Sequence, residues 1–84
     1  MKQNITYPQY RKYPHGRTYF KIISESEWEE VQIMGNRYMI QQFKATILPD
    51  RNYIYDLTFD FKNNWIEIDA EEYEEIKRKA LEAM

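Results

Sequence analysis

The chain contains no cysteine, so it forms no disulfide and no thiolate metal site. Its single histidine, His15, stands in a Pro-His-Gly turn with no thiol to partner it, which removes most nucleophilic templates. Ser24 and Ser26 lie among Glu25 and Glu27, whose charge opposes a serine alkoxide. Gly16 and Gly35 are isolated and make no phosphate-cradling loop. No apolar run reaches membrane-spanning length, and the opening MKQNITYPQY lacks the apolar core of a secretory signal. These absences predict a soluble cytoplasmic chain with no catalytic residues, no cofactor and no metal. The only carboxylate pair worth weighing is Asp60 with Glu67, cross-strand neighbours in one hairpin register but without the oxygen-rich loop of a calcium site.

What is present is aromatic and asymmetrically charged. Aromatic residues make up 17% of the 84, and such rings bury enough area to help a chain this short hold a core. Residues 1–22 carry Lys2, Arg11, Lys12, Arg17 and Lys21 and no acid, the first being Glu25. Residues 67–75 carry six acids (Glu67, Asp69, Glu71, Glu72, Glu74, Glu75) and no base.

Residues 1–16 are expected to form an extended N-terminal arm, because Pro8, Pro14 and Gly16 interrupt any regular element. Tyr7, Tyr10 and Tyr13 recur every third residue. In a polyproline II segment, with its three residues per turn, they would line one edge. Residues 17–84 are expected to form a single small α+β domain, an antiparallel meander of about five strands with one C-terminal helix on one face. RTYFKII, 17–23, begins the strands. Gly35-Asn36 suits a two-residue type II′ turn that sets Ile33 opposite Tyr38, Val31 opposite Ile40 and Trp28 opposite Phe43. The apolar set then changes parity past Gln41-Gln42, which suggests a bulge. The rival for residues 25–34 is a short helix capped by Ser24-Glu-Ser-Glu27; the hairpin pairing favours the strand.

Leu48-Pro-Asp-Arg51 reads as a turn, and NYIYDLTFDF, 52–61, alternates as a strand. An Asn63-Asn64 type I′ turn would return it with Phe61 opposite Ile66 and Phe59 opposite Ile68. The last helix begins at an Asp69 N-cap with Ile68 stapled to Tyr73. It has an apolar stripe of Tyr73, Ile76, Ala80 and Met84, and i,i+4 pairs Glu74–Arg78 and Glu75–Lys79.

Tyr7, Tyr10, Arg11, Lys12, Tyr13 and Arg17 are the candidate partner-binding residues. The favoured function is a non-enzymatic protein-interaction or structural module, self-associating through this Tyr/Pro arm; the partner is another protein or a second copy, with no membrane. The alternative is a single-stranded nucleic-acid binder in which the arm tyrosines stack on bases and Arg11, Lys12, Arg17 and Lys21 neutralise phosphate. Were 25–34 helical, the element order would resemble a double-stranded-RNA-binding domain. The start of the last helix, EEYEE, departs from the basic residues that family carries there. The segments YPQYRKY, ILPDRNYIYD and WIEIDAEEY resemble those of small bacterial proteins of unknown function, which implies a stand-alone domain and supplies no site.

Overall fold

The computed structural model describes residues 5–83. The elements run β1 (Gln9–Lys12), β2 (Thr18–Ile22), β3 (Glu27–Met34), β4 (Arg37–Lys44), α1 (Leu48–Phe59), β5 (Ile66–Ile68) and α2 (Ala70–Ala83). The five strands form one antiparallel sheet in the order β4-β3-β2-β1-β5. The fold is α+β as expected, with two helices rather than one.

The β3–β4 hairpin forms in the expected register, with Ile33 opposite Tyr38, Val31 opposite Ile40 and Trp28 opposite Phe43. Gly35 has φ +64 and no described non-glycine residue has positive φ, the pattern a type II′ turn requires. A Cβ on Gly35 would meet nothing within 4 Å, so Gly35→Ala should cost only the backbone conformation, about 1 kcal/mol in a urea titration.

The expected bulge at Gln41-Gln42 is absent, since β3 and β4 stay in one continuous register from Glu27–Lys44 to Met34–Arg37. The change of parity has another cause: both faces of the sheet are covered, by different helices. On one face Phe20, Ile22 and Trp28 pack against Ile54 and Leu57 of α1, closed by Ala45 and Trp65, with Phe43 at the margin. On the other, Val31 packs against Tyr73 and Ala80 of α2, joined by Tyr10, Tyr19, Tyr38, Ile40, Ile68 and Ile76. Along β4, then, Tyr38 and Ile40 face α2 while Phe43 faces α1.

Residues 52–61 correct the largest expectation, because most of this segment is helix α1. Ile54, Leu57 and Thr58 are the buried residues, at helical spacing. Pro49 lies in the first turn beside Asp50, where a missing N–H costs nothing and an acid suits the dipole. Leu48-Pro-Asp-Arg51 is therefore a helix start, not a strand-linking turn. The apparent alternation arose because Tyr55 and Phe59 lie away from that buried face, with ring centroids 5.0 Å apart. The Phe61–Ile66 and Phe59–Ile68 pairings do not form, and neither Asn63 nor Asn64 has the positive φ of a type I′ turn. Instead Phe61 accepts from the N–H groups of Asn64 (3.0 Å) and Trp65 (2.7 Å), and β5 pairs with β1.

Helix α2 starts as expected, with the Glu72 N–H donating to Asp69 Oδ1 at 2.8 Å. Its ion pairs differ from those expected: Arg78 bridges Glu75 and Glu82. Tyr73, Ile76 and Ala80 form the inner stripe; Met84 lies outside the described residues.

Candidate interaction site

The basic-aromatic segment is woven into the sheet. Gln9–Lys12, expected to belong to an extended N-terminal arm, forms β1 and pairs with β2 on one side and β5 on the other. Residues 1–4 of that arm lie outside the described residues. Strand periodicity replaces the threefold tyrosine edge. Tyr7 and Tyr13 join the α1-side cluster, whereas Tyr10 belongs to the α2 side. Tyr13 stacks on Trp65 with centroids 5.8 Å apart and meets Phe20 edge-on at 5.2 Å. Tyr10 lies 5.3 Å from the Tyr73 ring. Burial, with Glu25 near Tyr7 and Glu74 near Tyr10, raises the pKa of both hydroxyls.

Arg11 is 2% exposed, the least exposed charged residue among those described. Its Nε donates to the Leu57 carbonyl and its Nη2 to the Thr58 carbonyl, each at 3.1 Å, while Nη1 donates to its own neighbour Tyr10 at 2.7 Å. The guanidinium carbon lies 3.9 Å from the centre of the Phe61 ring. Leu57 and Thr58 sit in the last turn of α1, where carbonyls lack helical partners and the dipole favours a cation. That helix carries no basic residue in its own last turn, so β1 supplies one. Burial lowers the Arg11 pKa, opposed by Glu67, its cross-strand partner on β5.

Lys12 turns to the other face and meets Glu72 of α2 at 2.7 Å. Part of the charge contrast between the two ends of the chain is thus resolved internally. Arg17 alone of the six candidates is exposed, in the β1–β2 connection.

A second polar group is built into the α2 face. Glu29, 3% exposed, accepts from Tyr73 Oη at 2.7 Å and from Gln42 Nε2 at 3.1 Å, and pairs with Lys77 at 3.1 Å. Burial raises its pKa, but the bonds from Tyr73, Gln42 and Lys77 outweigh that and hold it below the ordinary value. On the α1 face Glu30 accepts from Trp28 Nε1 and Gln32 Nε2, both at 2.9 Å. Trp65 Nε1 is buried without a described partner.

Asp60 follows α1 and Glu67 lies on β5 facing Arg11, so the hairpin that would have paired them is absent. Among the described residues no group of three or more His, Cys, Asp or Glu could hold a metal ion. No described helix is long and apolar enough to cross a membrane.

The surface left open lies elsewhere. β4 is an edge strand of eight residues, and β5, the other edge, has three. The Ala45 N–H donates to Ser26 at 2.7 Å, and the Ile33 N–H turns the other way, to Arg17 at 2.7 Å. Antiparallel bonds alternate, so Arg37, Met39, Gln41 and Phe43 bond β3, while Tyr38, Ile40, Gln42 and Lys44 direct N–H and C=O outward. No described backbone group pairs with those four residues on the open side. Ile47 and Leu48, 59% and 69% exposed, follow β4 after Ala45 and Thr46, and Tyr55 lies on the outer side of α1. The hairpin was legible in the sequence; its edge position follows from residues 52–61, expected as the next strand of the meander, forming helix α1 instead.

Comparisons with known protein families, with curated proteins and with solved structures find no match to this chain.

Proposed function

We propose that this chain is a small non-enzymatic protein-interaction or structural module that self-associates. The observation that carries this reading is the β4 edge, eight residues long and without described partners on one side. Long unpaired edges attract other strands, and sequences restrain them with proline, bulges or central charges. β4 has no proline, and its only charges, Arg37 and Lys44, stand at its ends. Exposed Ile47, Leu48 and Tyr55 add apolar surface nearby in the chain.

The burial of Arg11 and the pairing of Lys12 with Glu72 favour a protein partner over nucleic acid, because both cations are already engaged within the chain. The Tyr/Pro segment contributes by completing the sheet, and contact with a partner falls to the opposite edge. Sedimentation across the micromolar range is expected to show a concentration-dependent dimer. A monomer at every concentration would refute self-association.

A further inference from the structure

The occupant of the open edge can be specified from the residues that line it, and this step rests on the self-association just proposed. We infer that β4 pairs antiparallel with β4 of a second copy about a two-fold axis at Gln41, joining two five-stranded sheets into one.

Backbone geometry restricts the choice. Outward groups belong to Tyr38, Ile40, Gln42 and Lys44, so only registers that pair these positions with one another can form bonds. With Gln41 on the axis, Ile40 exchanges bonds with Gln42 of the second copy, and Tyr38 with Lys44, each twice by symmetry. The side chains agree with that register. On the α1 face Met39 meets Phe43 of the second copy, twice, and Gln41 meets Gln41, an amide that both donates and accepts. On the α2 face the Lys44 stem and cation lie beside Tyr38. Arg37 falls opposite Ala45. No two like charges stand directly opposite, although both charged residues of the strand are basic.

The neighbouring register, with Ile40 on the axis, is inferior. It sets Met39 against Gln41 and Arg37 against Phe43, and pairs Lys44 with turn residue Asn36. An unrelated peptide could use the same backbone groups, but the two-fold match of Met39, Gln41 and Phe43 favours a second copy. β5 does not compete as an edge, being three residues long.

Two substitutions at Gln41 test the axis, and both are exposed changes that leave the chain's own core untouched. Gln41→Lys places two ammonium groups face to face across the axis, while within its own chain the new lysine stands opposite Glu30. Sedimentation should show the dimer weakened by about tenfold or more, with the melting temperature of the monomer preserved. Gln41→Cys introduces the only cysteine of the chain, at a non-hydrogen-bonded pair where Cα atoms approach to about 4.5 Å. Mild oxidation should link it into a covalent dimer much faster than Asn63→Cys, which sits in the exposed turn before β5. A wild-type dimer that ignores Gln41→Lys, with equal cross-linking of the two cysteine variants, overturns the β4 pairing and leaves self-association standing. A wild-type chain that stays monomeric overturns both.

Discussion

Arg11→Leu is expected to destabilise the domain by about 3–4 kcal/mol, measured as a lowered midpoint in urea. Leucine fills part of the space but donates nothing, so the Leu57 and Thr58 carbonyls at the end of α1 lose their buried donors. Each such loss costs about 1–3 kcal/mol. The contact with Phe61 and the cation at the helix C-terminus go as well. Small domains have roughly 5–15 kcal/mol in total, so the variant keeps only a fraction of its stability. Arg11→Lys should fall between, losing about 1–2 kcal/mol, because an ammonium keeps the charge but cannot span two carbonyls with a planar fork. A neutral Arg11→Leu would mean that the guanidinium does not hold β1 against α1.

Glu29 carries the second large effect. Glu29→Ala leaves the buried Tyr73 hydroxyl without its acceptor and Lys77 and Gln42 without theirs, and should cost about 2–3 kcal/mol. The pH dependence has a definite sign. The folded pKa of Glu29 lies below its ordinary value of 4.5, so the unfolded chain takes up a proton first as the pH falls. Its contribution is complete above the unfolded value and is lost as the pH falls through the folded one. Wild-type stability should therefore decline more steeply with acid than that of Glu29→Ala, and the gap between the two curves should narrow as the pH falls. Parallel curves would show that the Tyr73–Glu29–Lys77 contact does not favour the ionised carboxylate.

Both effects involve charges buried at the junctions between sheet and helices, where the sequence was least legible. The β3–β4 hairpin and α2 could be read because local signals agreed: a Gly-Asn turn with matching registers, and an acidic N-cap before an apolar stripe. α1 could not, since Tyr55 and Phe59 outside and Leu57 within give a chain of apolar residues at period two as well as at helical spacing. A sheet with one covered face would need a bulge to carry the apolar shift from Ile40 to Phe43; with two covered faces the strand needs none. Arg11 gave no sign of burial because its carbonyl partners lie 46 and 47 residues away in the chain. The opposite charges of the two ends meet in the contact between Lys12 and Glu72. The candidate residues of the tyrosine segment were found by composition, which cannot distinguish a ring offered to a partner from one stacked on Trp65.

YPQYRKY belongs to the body of the fold, and the proposed association falls to the β4 edge. Native-state hydrogen exchange at residues 9–12 tests this most directly, because β1 is bonded on both sides. The amides of Tyr10, Arg11 and Lys12 should exchange as slowly as those of β2 and β3, opening only with global unfolding. Exchange of these three at free-peptide rates, while β2 and β3 stay protected, would contradict the account.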